Sequence, residues 1–256
     1  MSPLRPAPMD HLARFSDPPP DLGLPASGEA HVWCVALDRP PAEAARLAVH
    51  LAPDEAARAA RFRFSRHRRR YTVARGVLRE LVAGYLGIQP GEVAFRYGAR
   101  GKPHLAGGGD LELNLSHSSE LAVVGFARGA GLGIDVERLR SMPRGLDIAE
   151  RFFSAAERRA LAALPEERRE SSFFRCWTRK EAYLKAVGDG ITVSLAGFDV
   201  TLAPEEPPRI LHVDGDPGRG AAWSLVHLEP APGYLGALAL PARTDGPWRV
   251  TGWRWP

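Results

Sequence analysis

Midway along the chain Leu111, Leu113 and Leu115 alternate with Glu112, Asn114 and Ser116, a period of two that predicts a strand with one buried and one polar side. Asn114 and Ser116 are therefore expected on a wet surface or against a ligand. Upstream the period lengthens: Tyr71, Ala74, Leu78, Leu81 and Tyr85 form a helical stripe that Ser65 can cap and Gly87 can end. Arg68, Thr72, Arg75 and Arg79 occupy another side of that helix. Strands are also predicted at 31–37, 93–97 and 121–127, and helices at 41–51 and 53–62. From residue 132 the order restarts, with a strand at 132–137, a loop to 147 and a helix capped by Ser154 with Glu157 three positions on. A long helix then runs from about 165 to 187 and stops at Gly188. Strands follow at 198–202, 209–213, 223–228, 234–240 and 248–253. Both halves read strand, helices, strands, which predicts duplication from element order, residue identity between them being slight. Residues 1–29 hold seven prolines and no apolar period, so they read as a disordered arm. The lobes then span 30–128 and 129–256.

An apolar content of 45% suffices for a sizeable core. The formal charge of +4 and pI near 9.4 favour phosphorylated ligands or acidic proteins as partners. Cys34 and Cys176 fit neither a disulfide framework nor a paired-thiolate zinc site, and no segment resembles a signal peptide or membrane span. The expectation is a reduced, soluble, cytoplasmic protein. Three of the 34 basic residues are lysines (Lys102, Lys180 and Lys185), which marks them as positions where a compact ammonium is required.

Two of those lysines fall in Trp177-Thr178-Arg179-Lys180-Glu181-Ala182-Tyr183-Leu184-Lys185. On a helix Trp177, Glu181 and Lys185 share one side, and Phe173, Trp177, Leu184 and Val187 are expected as the buried seam. In Gly133-Ile134-Asp135-Val136-Glu137 the two acids share one face of a strand. If strand and helix meet, Asp135, Glu137 and Glu181 converge with Lys185 one turn beyond. That oxygen set suits magnesium, with manganese the alternative, gripping a phosphate; no His/Cys cluster in the sequence favours zinc. The plain alternatives are solvent-facing acids on an edge strand and a surface Glu181–Lys185 pair worth ~0.3–0.5 kcal/mol. Arg61 to Arg70 holds seven basic side chains counting His67, and is either a solvated helix end or a phosphate-binding edge. No stacking platform or DNA-binding motif accompanies it. Ser116 and His117 read as phosphate donors rather than as part of a triad, and Gly101-Lys102-Pro103 as a rigid turn.

Taken together these segments resemble the 4′-phosphopantetheinyl transferases of the larger, Sfp type. Gly133 to Glu137 and Trp177 to Lys185 match that family's two motifs without a gap. Arg100-Gly101-Lys102-Pro103 and Asn114 to Ser118 are similar to family segments in the expected order. The resemblance implies transfer of the phosphopantetheine arm of coenzyme A to a serine of an acidic carrier protein, releasing adenosine 3′,5′-bisphosphate. It also implies an α+β fold of two similar lobes about a pseudo-twofold, each a small, mostly antiparallel sheet packed with helices, and a monomer with coenzyme A between the lobes.

By the same resemblance Asp135, Glu137 and Glu181 hold magnesium, and Glu181, Lys185 and Asp135 are catalytic. Lys102, Ser116, His117, Lys180 and Lys185 would serve the nucleotide and pyrophosphate. Arg70 and Arg75 match an arginine-bearing helix, with Arg75 favoured because it shares a stripe with Arg68 and Arg79. An ordinary glutamate, with a pKa of about 4.3, is a weak base for a serine hydroxyl, so Glu181 acts directly or through a metal-bound water. Residues 139–153 are the expected carrier-docking segment. The rivals are a non-catalytic nucleotide- or nucleic-acid-binding protein using the arginine-rich helix, and a magnesium-dependent phosphodiesterase.

Overall fold

A computed structural model describes residues 11–12, 14–20, 23–98, 101–142, 145–188 and 194–256. In the first half β2 (Glu29–Ala36), β6 (Leu121–Arg128) and β5 (Leu111–Ser118) pair antiparallel in that spatial order. In the second half β7 (Gly133–Arg138), β11 (Tyr234–Pro241) and β10 (Trp223–Leu228) do the same. Each lobe thus places its first strand beside its last and its last beside its middle one, the shared order expected of a duplication.

Alternation along the strands builds three cores. Trp33, Val35, Val124 and Phe126 face α3 (Ser65–Leu86), packing with Val77, Leu78 and Leu81. Their neighbours Val32, Cys34 and Val123 face the other way and meet Ile134, Val136 and Leu238 of the second sheet. Beyond that sheet Ala237 and Ala239 pack on Phe173, Tyr183 and Ala186 of α6 (Glu166–Val187). The order is therefore helix, sheet, sheet, helix.

The chain ends cross between lobes. β1 (His11–Leu12) runs parallel to β10, whereas β12 (Arg249–Arg254) runs parallel to β2 in the first lobe's sheet. Phe15 is buried between the sheets, and Ser16 N donates to Gly252 O at 3.1 Å. The described part of the arm is thus a strap across both lobes rather than a separate disordered tail, because Phe15 supplies an apolar anchor that the proline count obscured. Residues 1–10, 13, 21 and 22 of the expected arm lie outside the described residues.

Smaller differences have local causes. Ser65 opens α3 but makes no cap; Phe64 stands at that position without a side-chain bond. Gly87, at φ 66°, ends the helix in the left-handed region that glycine adopts freely. Ser154 does cap α5 (Ala155–Ala163), accepting from Glu157 N at 3.1 Å while Glu157 returns a carboxylate to Ser154 N at 2.9 Å. Part of the expected loop before it is a helix, α4 (Gly145–Phe152). On α6 the expected Phe173 is buried, but so are Ser172, Phe174, Cys176, Thr178, Arg179, Lys180, Ala182 and Tyr183, while Trp177, Leu184 and Val187 are half-buried. The seam is rotated from the expected one because α6 is covered on several sides.

Candidate active site

β5 and β7 are edge strands of their sheets, and the site forms where those edges meet beneath α6. Alternation on β7 sends Ile134 and Val136 into the inter-sheet core, so Asp135 and Glu137 project from the opposite face. Close approach of α6 depends on Gly133. A Cβ there would stand 2.0 Å from Ala182 O and 2.3 Å from Ala186 N. This brings the last turns of α6, with Glu181 and Lys185, over the acidic face of the strand.

Asn114 and Ser116 are buried rather than wet, because the polar side of β5 faces β7 and not solvent. Asn114 Oδ1 accepts from Ile134 N at 2.9 Å. Ser116 Oγ donates to Asp135 Oδ1 at 2.8 Å, and Ser118 Oγ donates to Glu137 Oε2 at 2.7 Å. Ser118 has no role in the sequence reading, although the alternation that turns Ser116 to Asp135 also turns Ser118 to Glu137.

Lys185 Nζ donates to Asp135 Oδ1 at 2.6 Å and to Ser116 Oγ at 3.1 Å. Asp135 is 5% exposed, and its Oδ2 is buried with no hydrogen-bond partner. Burial pushes the Asp135 carboxyl up, with the Lys185 ammonium opposing. Glu181 is half-buried; burial raises its carboxyl pKa too, reinforced by the charge of Asp135 and opposed by Lys185. Lys102 Nζ reaches the same corner, donating to Leu132 O at 2.9 Å and Lys185 O at 2.8 Å. Gly101, Pro103, Leu115, Glu181 and Leu184 help line a cleft of about 340 Å³ beside it.

The three carboxylates share this corner without closing into a set whose ligand atoms all lie within 4.8 Å of one another. The Lys185 ammonium sits directly on Asp135 Oδ1. The donor set nonetheless fits a hard divalent cation: it is all oxygen, it is anionic, and it includes the unpartnered Asp135 Oδ2.

Along β5, Ser116 points to the carboxylates and the next residue, His117, points into a second groove. That groove, about 360 Å³, is also lined by Phe62, Arg66, His67, Arg70 and Tyr71. Arg70 lies at its wall, its guanidinium bound bidentately to Asp38 at 2.7 and 2.6 Å.

Two expected cofactor ligands point elsewhere. Arg75 is buried, donating to Glu55 Oε1 at 2.8 Å and to Tyr97 Oη at 2.8 Å, and Arg79 donates to the other Glu55 oxygen. The stripe that favoured Arg75 thus faces α2 (Pro53–Ala60), whose Glu55 neutralises it, and not the groove. Lys180 is fully buried, with Nζ 2.8 Å from Glu157 Oε2 and donating to Leu195 O at 2.6 Å. Its ammonium is consumed in holding α6 to α5. Arg100 lies outside the described residues.

Comparison with known proteins gives one consistent answer. Residues 131–239 match the family described as the 4′-phosphopantetheinyl transferase superfamily. Residues 39–127 match the family described as 4′-phosphopantetheinyl transferase, N-terminal. The chain is 43% identical over 228 residues to 4′-phosphopantetheinyl transferase HetI of Nostoc sp., covering 87% of this chain and 91% of HetI. It is 32% identical over 224 residues to a phosphopantetheinyl transferase of Thraustochytrium sp., covering 80% and 76%. With 4′-phosphopantetheinyl transferase Sfp of Bacillus subtilis it shares 26% over 227 residues, covering 86% and 96%.

Proposed function

This chain belongs to the 4′-phosphopantetheinyl transferase superfamily and moves the phosphopantetheinyl arm of coenzyme A onto carrier proteins, and we propose that it does so at the corner between β5, β7 and α6. The single observation that carries this assignment is the meeting of Asp135, Ser116 and Lys185, from three separate elements, beside a cleft lined by Glu181.

The reaction forms a bond from a carrier serine oxygen to the phosphopantetheine phosphorus and breaks the pyrophosphate bond, so adenosine 3′,5′-bisphosphate leaves and the serine loses a proton. Asp135, Glu137 and Glu181 would hold magnesium, or manganese, on the pyrophosphate. When bound, such a cation supplies charge neutralisation to the phosphate oxygens. Lys185 presents its ammonium to the phosphate under attack, opposing the charge that builds there. Glu181 stands at the cleft to receive the serine proton, directly or through water. Ser116 and Lys102 orient the corner by bonding Asp135 and the main-chain carbonyls of Leu132 and Lys185. His117 with Arg66 and Arg70 offers cationic and donor groups to the nucleotide phosphates along the adjoining groove.

The carrier is an acidic protein, and residues 139–153 are its docking segment, a reading supported by Leu146 standing 52% exposed on α4, the helix that follows the metal strand in the chain; residues 143 and 144 lie outside the described ones. Among the described residues no helix is long and apolar enough to cross a membrane, and both cysteines are free and buried. We assign a cytoplasmic monomer, the second lobe standing where a partner subunit otherwise would. The test is incubation with coenzyme A, magnesium and several apo-carriers, read by intact mass. Addition of one phosphopantetheine to the carrier serine is expected; hydrolysis of coenzyme A without carrier modification would point to a phosphodiesterase.

A further inference from the structure

The sequence shows no metal-binding cluster apart from the carboxylates, yet the fold assembles one from opposite ends of the chain. β1 pairs with β10 so that His11 stands directly across from His227, their rings stacked 5.2 Å apart. Glu229, one residue beyond β10, turns its Oε1 to both rings. It lies 3.5 Å from His11 Nε2 and 3.3 Å from His227 Nε2. Among the described residues this is the one group of three His, Cys, Asp or Glu side chains whose ligand atoms all fall within 4.8 Å of one another.

We propose that His11, His227 and Glu229 form a transition-metal site, zinc being the best match, which fastens the N-terminal strap to the second lobe. Bonds of about 2.0–2.2 Å around a tetrahedral zinc put its ligand atoms roughly 3.3–3.6 Å apart, which is where these two distances fall. Two imidazoles and one carboxylate are a borderline donor set that prefers zinc to magnesium, in contrast to the all-oxygen corner under α6. His227 is buried within the sheet, and His11 arrives on the strap. The site therefore exists only when the strap is docked, and metal binding adds to docking by mass action.

A cation already competes for these lone pairs. Arg175 Nη1 is 2.7 Å from His227 Nε2, and its Nη2 is 3.7 Å from Glu229. Arg175 Nε has no hydrogen-bond partner, and the cleft it occupies, about 340 Å³, also holds Glu205 and Glu206, so the guanidinium has an alternative place to go. This competition gives the proposal a signature that a merely adventitious surface histidine lacks: removing a positive residue changes zinc affinity through a specific geometry.

The experiment titrates zinc chloride into the full chain in excess magnesium by calorimetry and follows backbone hydrogen exchange of residues 11–16. Wild type is expected to take up zinc with slowed exchange along the strap. His11→Ala, an exposed change that leaves the lobes intact, is expected to weaken that uptake by about tenfold or more, each factor of ten being 1.4 kcal/mol, and to abolish the slowing. Arg175→Leu is expected to tighten it. Transferase turnover of His11→Ala with magnesium should equal wild type, which keeps this result separate from the assignment of the active site. Identical zinc isotherms for wild type and His11→Ala, or zinc binding that leaves strap exchange unchanged, would overturn the proposal.

Discussion

Lys185 Nζ stands 2.6 Å from Asp135 Oδ1, so the last turn of the long helix is tied to the acidic strand of the second lobe. The same ammonium reaches Ser116 Oγ on the first lobe at 3.1 Å, which makes it the point where both lobes and the helix meet. Removing either charge should therefore affect catalysis before it affects the fold as a whole. Asp135→Asn keeps an acceptor for Ser116 but not the anion, and turnover is expected to fall roughly 10²–10³-fold, the usual cost of losing a preorganised electrostatic group. Glu181→Gln should lose a similar factor in kcat while coenzyme A binding partly survives. Steady-state carrier modification with a parallel melting curve checks both. A Glu181→Gln enzyme of wild-type kcat would remove that residue from the mechanism.

The approach of α6 to β7 is set by one missing side chain. Gly133→Ala places a methyl 2.0 Å from Ala182 O and 2.3 Å from Ala186 N, both backbone atoms that cannot rotate away. The helix must retreat and carry Glu181 and Lys185 with it. Overpacking of this kind costs about 1–3 kcal/mol, and a loss of activity larger than the fraction unfolded is expected. Urea denaturation alongside kinetics separates the two; an active, equally stable Gly133→Ala would show that the helix does not need this contact.

The acidic strand, the helix motif and the alternation of β5 were legible because each is a local pattern whose period fixes direction. Spacing alone put Asp135 with Glu137 on one face of a strand and Glu181 with Lys185 on one side of a helix, whereas the meeting of those two surfaces followed from the family resemblance; the repeat of strand, helices, strands was readable without residue identity. What escaped was pairing across distance. Nothing near Arg75 announces Glu55, and nothing near Lys180 announces Glu157, so two cations that looked available are neutralised. The crossing of the chain ends escaped as well, since β1 is two residues long and carries no period.

That difference separates the arginines of α3 by experiment. Arg70→Ala removes a groove-lining charge and is expected to raise KM for coenzyme A several-fold with little change in melting temperature. Arg75→Ala strands the buried Glu55 with one partner fewer and is expected to destabilise, breaking buried pairs costing about 3–5 kcal/mol. A raised KM with unchanged stability for Arg75→Ala would return Arg75 to the nucleotide site.

Lys180 gives the parallel case on the second lobe. Its ammonium links Glu157, which also accepts from Val200 N at 2.8 Å, to the carbonyl of Leu195, so one buried ion joins α5, α6 and the following turn. Lys180→Met leaves Glu157 charged in an apolar interior, and a loss of about 3–5 kcal/mol is expected. In the fraction that remains folded, KM for coenzyme A should be unchanged. A stable Lys180→Met with a raised KM would show that the lysine serves the substrate after all.

His31 makes the fold acid-sensitive apart from the site. Its ring is buried against Trp253, and its Nδ1 lies 2.8 Å from Tyr85 Oη, which also accepts from Trp33 Nε1 at 3.0 Å. Burial lowers the His31 pKa to about 4, with the Glu29 charge opposing. The unfolded chain therefore binds this proton first, near pH 6.5, and the folded chain only near pH 4. Stability from the neutral ring is complete above pH 6.5 and is lost as pH falls toward 4, by an amount on the order of 3 kcal/mol. Urea midpoints across that window should slope less in His31→Gln, which keeps an acceptor for Tyr85 and cannot titrate. Equal slopes in the two proteins would mean that His31 protonates as readily folded as unfolded.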